Sequence, residues 1–77
     1  MPKLKKGQKV RIYQKPITHE EYEGIATLVK FVSETEQDES WMVRFRNEES
    51  TYQRLISYVH WNEEYKRFED WEPEIVK

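Results

Sequence analysis

The chain contains no cysteine and only two glycines and three prolines among its 77 residues. The lack of cysteine excludes disulfide bonds and thiolate zinc sites as means of stabilising so short a fold. Two glycines are too few for a glycine-rich loop that cradles a phosphate. No apolar run approaches the roughly 20 residues of a membrane-spanning helix, and no apolar segment follows the basic N-terminus as in a signal peptide. We therefore expect a cytoplasmic protein without a membrane segment.

Charged and aromatic residues are abundant, at 36% and 14% of the chain. A chain of this length buries only about 60% of the surface that its unfolded form exposes, so we expect one domain, residues 1–77, with a small core. Aromatic side chains, at roughly 150–250 Å² each, must supply much of the buried area. Residues 1–16 carry six cations and no acid, whereas residues 17–40 carry seven acids and one cation. This segregation predicts separate basic and acidic patches if the basic strands are neighbours in space.

Alternating apolar and polar side chains predict four β-strands. The first covers residues 9–13 with Val10 and Ile12 inward, and it ends at Pro16, which has no backbone N–H to donate. The second, residues 25–32, is apolar on both faces and is therefore expected to be central or strongly bent. Residues 41–46 and 51–59 form the third and fourth strands. The predicted core residues are Val10, Ile12, Ile25, Val29, Phe31, Val43, Phe45 and Ile56.

The polar segments between these strands are predicted to be loops. "KPITHEEYEG", residues 15–24, closes at a glycine, and "SETEQDES", residues 33–40, is a hairpin loop. The tail permits two structures. Asn62 is a favourable first residue for a helix in which aromatic side chains recur at helical spacing, but the same aromatic residues suit a further strand. Pro73 ends either element.

The order of these elements, with the text "KKGQKVRIY", "YEGIATLVKF" and "WMVRF", resembles a small SH3-like barrel of the KOW or Tudor type. It is also similar to short SH3-like proteins of bacteriophages and mobile elements. The resemblance covers about residues 6–57 and leaves 58–77 as an appendage. It implies an all-β fold, an SH3-like barrel of four or five antiparallel strands with a C-terminal helix or an extra strand packed on it. It implies a binding module and provides no catalytic residues.

"HEEYE" is the one cluster of histidine and acids, but it lacks the second histidine four residues away that a zincin needs, and His60 is remote in sequence. We interpret it as a solvated acidic loop and expect no metal site. No Ser/His/Asp spacing or nucleophile elbow is present. The sequence therefore predicts a protein that is not an enzyme and needs no cofactor.

The leading hypothesis is a protein-interaction module, a monomer or homodimer, of the kind that a phage or mobile element directs at a host protein. An acidic loop and an aromatic tail supply its surface, because Trp and Tyr are favoured at interface hot spots. A competing interpretation is that the tail's aromatic residues only close the open end of the barrel. The candidate partner-binding residues are Glu20, Glu21, Glu23, Trp61, Phe68 and Trp71.

The alternative hypothesis is a nucleic-acid-binding face on the basic strands. Cations neutralise phosphates and aromatic rings stack on bases, so a strand face with both is typical of such sites. The net charge of −2 and the sequence pI near 5.7 favour a merely solvated face instead. The candidate nucleic-acid residues are Arg11, Tyr13, Arg44, Arg46 and Arg54.

Overall fold

The computed structural model describes residues 2–76, and all their regular secondary structure is β-strand. The strands are β1 (Lys9–Lys15), β2 (Glu20–Glu34), β3 (Asp38–Phe45), β4 (Tyr52–Ser57), β5 (Val59–Asn62), β6 (Arg67–Asp70) and β7 (Ile75–Val76). Five of them form one antiparallel sheet in the order β4-β3-β2-β1-β7, and β5 and β6 form a separate hairpin. The all-β prediction is confirmed. The sheet is not closed, because β4 and β7 lie at its two ends without pairing.

The longest strand, β2, lies between β1 and β3 and is bent by three bulges. Its register leaves one extra residue at Glu23 opposite β1, and one each at Val29 and Val32 opposite β3. Side chains alternate along a strand, so an extra residue at Val29 brings both Leu28 and Phe31 to the same side of the sheet. The prediction that this segment is central or strongly bent is confirmed, because β2 is the middle strand of the five.

The core lies on one face of the sheet, under the N-terminal segment. Its buried hydrophobic residues are Leu4, Val10, Ile12, Ala26, Leu28, Trp41, Val43 and Ile56, and the rings of Phe31, Phe45 and Tyr58 pack against them. The predicted inward positions on β1, β3 and β4 are thus confirmed. The choice of Ile25 and Val29 as core residues was wrong, because β2 turns Ala26 and Leu28 inward instead.

A buried carboxylate connects the N-terminal segment to the sheet. Glu39 is only 1% exposed, and the backbone N–H groups of Lys3 and Leu4 donate to it over 2.7 and 3.4 Å. The indole Nε1 of Trp41 donates over 2.9 Å, and the hydroxyl of Tyr58 is the fourth donor. Three distant parts of the chain therefore meet at the side chain of Glu39. This residue was predicted to lie in the polar hairpin loop of residues 33–40.

The charge of Glu39 persists in spite of its burial. Burial raises the pKa of this carboxyl group, but the hydrogen bonds from Tyr58, Trp41 and the two backbone amides outweigh that effect, and the pKa lies below its ordinary value. Burial, and next to it the hydrogen bond to Glu39, raises the pKa of the Tyr58 hydroxyl. This hydroxyl therefore stays protonated and donates to Glu39. A single acid thus satisfies four donors that would otherwise be left without partners at the end of the core.

The acidic stretch is not a loop. Only residues 16–19 turn, and Glu20, Glu21 and Glu23 all lie in β2. His19 and Glu21 have positive φ angles of 58° and 57°, which let the chain reverse and pair with β1 immediately after the turn. Neither residue type predicts this conformation. The acids therefore extend from a strand edge rather than from a free loop.

The helix predicted for the tail is wrong, and the alternative prediction of a strand is the one the structure shows. The side chain of Asn62 does accept a hydrogen bond from the Tyr65 N–H over 3.1 Å, as a helix cap would. Lys66, however, adopts a φ of 51° after that single turn, and the chain reverses into β6. Asn62 thus makes the hydrogen bond expected of a helix cap, but only a single turn follows it.

We expect the substitution Glu39→Gln to lower the free energy of unfolding by about 2–4 kcal/mol, because the new amide N–H₂ would face groups that also donate. Urea unfolding followed by tryptophan fluorescence measures the change. The matched control is Glu36→Gln, the same substitution at an exposed position of the neighbouring turn, for which we expect almost no effect. Equal losses in the two variants would contradict the role of Glu39.

The lowered pKa of Glu39 also makes a prediction about pH. A carboxyl group with a lower pKa in the folded than in the unfolded state stabilises the fold above its ordinary pKa, and this stabilisation is lost as the pH falls through the folded value. The difference in stability between the wild type and Glu39→Gln should therefore shrink below about pH 4. Urea titrations at a series of pH values test this, since the other carboxyl groups titrate in both proteins. A difference that stays constant into strong acid would contradict it.

Candidate functional site

Part of the predicted partner surface is assembled on the β5–β6 hairpin. Trp61 and Phe68 are opposite each other in this ladder, and their rings meet edge to face with centroids 4.9 Å apart. Phe68 is 59% exposed, and the indole Nε1 of Trp61 donates to Glu63 over 2.7 Å. Glu20, from the start of β2, lines the same shallow pocket as Trp61 and Glu63. We call these four residues, Glu20, Trp61, Glu63 and Phe68, the acidic aromatic surface.

The other predicted partner residues lie elsewhere. The carboxylate of Glu23 points to Arg54 and accepts two hydrogen bonds from its guanidinium, over 2.7 and 2.9 Å. This contact holds the pKa of Glu23 below and that of Arg54 above the ordinary value. Glu21 lies 3.8 Å from Lys15, and both side chains are exposed. Glu21 and Glu23 are thus already paired with cations of the same chain.

Trp71, the third predicted aromatic residue, is half-buried against the turn between β1 and β2. Its ring centroid lies 4.4 Å from that of His19 and 5.4 Å from that of His60. Its backbone N–H donates to the Tyr58 carbonyl over 2.8 Å. The three predicted aromatic residues therefore divide into Trp71, which packs on the histidines, and a pair on the hairpin of which Phe68 is exposed and Trp61 is half-buried.

A basic groove lies on the sheet face that points away from the core. Lys9 on β1 and Arg44 on β3 are both opposite Thr27 of β2, so these three side chains form one row across the sheet. Arg46 and Tyr22 line the same groove. Among the described residues, no ion pair involves any of its three cations. We call Lys9, Tyr22, Arg44 and Arg46 the basic groove.

Of the five nucleic-acid candidates, only Arg44 and Arg46 lie in this groove. The guanidinium of Arg11 is 2.9 Å from Glu74 and also donates to the Tyr22 hydroxyl over 3.0 Å. Tyr13 packs between the rings of His19 and Tyr22. Arg54 is opposite the buried Trp41 and therefore lies on the core side of the sheet, where Glu23 neutralises it.

Sequence reasoning missed four contributors for different reasons. Lys9 was not among the nucleic-acid candidates, although the period of two along β1 places it on the same outer face as Arg11. Tyr22 and Glu63 were hidden by the wrong loop and helix assignments. His60 carried no signal, because only the folded chain brings it next to His19.

The described part of the chain contains no group of three or more His, Asp or Glu side chains arranged to hold a metal ion. It also contains no helix that is long and apolar enough to cross a membrane. No protein-family model, curated protein or solved structure matches this chain. Any functional assignment therefore depends on the side-chain geometry described above.

Proposed function

We propose that this protein is a non-enzymatic binding module that holds a basic, partly apolar segment of another protein on the acidic aromatic surface. The observation that carries the proposal is the exposure of Phe68 beside Trp61, with two carboxylates on the same pocket. An exposed phenylalanine packed on a half-buried tryptophan supplies apolar contact area, and neighbouring acids select cationic partners.

The charges favour a basic partner over an acidic one. Glu20 has no ion pair among residues 2–76, and Glu63 is engaged only by the neutral indole of Trp61. Neither carboxylate is therefore paired with a cation in the described part of the chain, and both are available to a lysine or arginine of the partner. At exposed positions such pairs contribute about 0.2–1 kcal/mol each, so the aromatic residues must provide most of the affinity.

We further propose that the sheet is an SH3-like module. The support is the order of its strands, a meander from β1 to β4 whose C-terminal strand β7 returns to the free edge of β1. On this view the β5–β6 hairpin is an insertion between the fourth strand and the returning strand, and it carries the binding surface.

The first test uses a fluorescein-labelled peptide of alternating Lys and Leu, with binding followed by fluorescence anisotropy. We expect the wild type to bind it and Phe68→Ala to weaken binding about tenfold, which corresponds to about 1.4 kcal/mol at an interface hot spot. Because Phe68 is exposed, the variant should keep its fold. Tyr52→Ala, at an exposed aromatic residue of β4 outside this surface, is the matched control and should bind normally.

A second pair of variants tests the charge component. Glu20→Gln combined with Glu63→Gln removes two charges from the surface, whereas Glu36→Gln combined with Glu49→Gln removes two elsewhere. Only the first should weaken binding of the Lys/Leu peptide. A Glu/Leu peptide that binds as tightly as the Lys/Leu peptide, or an unchanged affinity of Phe68→Ala, would refute the proposal.

The basic groove supports a second candidate function, the binding of single-stranded nucleic acid. Lys9, Arg44 and Arg46 can contact successive phosphates, and Tyr22, which is half exposed, offers a ring for stacking. One acid, Glu48, also lines the groove and opposes an anionic ligand. We rank this function second because only three cations contribute.

Salt dependence tests it. With three phosphate contacts, we expect the logarithm of the binding constant for a single-stranded oligonucleotide to fall with the logarithm of salt concentration at a slope of about −2. Arg44→Ala combined with Arg46→Ala should reduce the slope to about −0.7. The control is Lys5→Ala combined with Lys6→Ala, which makes the same change of charge in the N-terminal segment. Equal effects of the two double variants would show non-specific attraction rather than a site.

A further inference from the structure

Two histidines far apart in sequence hold the hairpin against the sheet. His19 lies in the turn between β1 and β2, and His60 lies in β5; their imidazole rings are stacked with centroids 4.7 Å apart and an angle of 13° between the planes. Trp71, which follows β6, covers both rings. The main sheet and both ends of the hairpin therefore meet at this stack.

Polar contacts join the hairpin to the sheet at two places. At the start of the hairpin, the Tyr58 N–H donates to the Gln37 carbonyl over 2.7 Å, and the Tyr58 hydroxyl donates to Glu39. Beside the stack, the carbonyl of Ile17 accepts a hydrogen bond from the Trp61 N–H over 3.0 Å, and Nδ1 of His60 lies 3.1 Å from the same oxygen. The stacked rings thus belong to the attachment of the hairpin to the turn between β1 and β2, and separating them weakens that attachment.

We propose that the stacked His19–His60 pair is a pH-sensitive clamp, and that its protonation releases the β5–β6 hairpin from the sheet. Two imidazolium ions at this separation repel each other, whereas two neutral rings pack. The β5–β6 hairpin shares no ladder with the five-stranded sheet. Repulsion is therefore relieved by movement of the hairpin without loss of a sheet strand.

The groups around the stack determine the direction of the effect. On the sheet side, Tyr13 packs against His19. Glu74, which precedes β7, forms an ion pair with Arg11. On the hairpin side, Glu69 is opposite His60 in the ladder, but its carboxylate accepts a hydrogen bond from Asn62 and lies 3.8 Å from Arg67. Glu74 and Glu69 are thus already engaged with other partners. Glu20 and Glu63, which line the pocket beside His60, have no ion pair among the described residues, and they would attract an imidazolium and so oppose the release.

The titration of His19 supports the proposal. Burial lowers the pKa of this imidazole, and the neighbouring His60 lowers it further, while Glu74 opposes them with a smaller effect. A histidine whose pKa is lower in the attached state stabilises the attachment fully above its ordinary pKa of about 6.5. This stabilisation is lost as the pH falls through the lowered pKa. The clamp is therefore closed at neutral pH and opens in mild acid.

Hydrogen exchange of backbone amides, with protection factors corrected for the intrinsic rate, tests the clamp directly. Between about pH 7.5 and pH 5.5, on either side of the ordinary histidine pKa, protection of the Trp61 amide, which donates to the Ile17 carbonyl, should fall by about tenfold. The Leu28 amide, which donates to Gln8 in the core of the sheet, should stay protected. Equal protection of Trp61 at both pH values would overturn the proposal.

The variant His60→Gln removes one charge but keeps an amide that can donate to the Ile17 carbonyl. We expect its Trp61 protection to be independent of pH over the same range, and an undiminished pH dependence would refute the clamp. If this variant does not fold, NMR titration of the two imidazoles in the wild type decides instead. A pKa of His19 below its ordinary value supports the clamp, and an ordinary pKa of His19 overturns it.

An effect on partner binding rests on the function proposed above, because Glu20 follows His19 and Trp61 follows His60 directly in the chain. Opening of the clamp would move these two halves of the acidic aromatic surface apart. The Lys/Leu peptide should then bind about tenfold more weakly at pH 5.5 than at pH 7.5, with no such change for His60→Gln. Loss of protection without peptide binding at either pH would refute the proposed function and leave the clamp standing.

Discussion

The fold depends on a charge held inside a very small core. Desolvation of a carboxylate costs several kcal/mol, and a domain of this size has little apolar burial to offset it. The cost is offset here because Glu39 gathers donors from the N-terminal segment, β3 and Tyr58, which precedes β5. The Glu39 side chain thus joins distant segments of the chain, as a disulfide bond does in small domains that contain cysteine. It also holds Tyr58, which lies between the end of β4 and the start of the hairpin, so the position of the hairpin follows from the same contact.

The parts of the fold that could be predicted from the sequence were those governed by local alternation. Val10, Ile12 and Val43 lie inside because a strand with a period of two has only one apolar face. The same period placed Glu39 with Trp41 and Val43, so its burial was within reach of the pattern, although its polarity suggested a loop. Prediction failed at β2, where a bulge reverses the alternation, because a bulge depends on the register with a partner strand.

The candidate site was less predictable because its geometry is set by contacts distant in sequence. Arg54 and Glu23 were assigned to opposite hypotheses, yet they form one ion pair across the sheet. Arg44 and Arg46 do share a groove, because Arg44 lies on the outer face of β3 and Arg46 lies in the turn that directly follows this strand. The pairing of His19 with His60 could not be inferred, since it follows from a positive φ at His19 and from a hairpin where the cap at Asn62 suggested a helix.

The shortness of β7 has a consequence for how the molecule opens. This strand pairs with only Lys9 and Val10, and the loop that this ladder closes includes nearly the whole chain. The entropy of closing so long a loop is compensated by very few hydrogen bonds, so we expect β7 to detach before any other strand of the sheet. Detachment would uncover the edge of β1, whose free N–H and C=O groups are then a template for a strand from another molecule. We therefore expect the paired β7 to protect the edge of β1 from such pairing for as long as β7 stays in place.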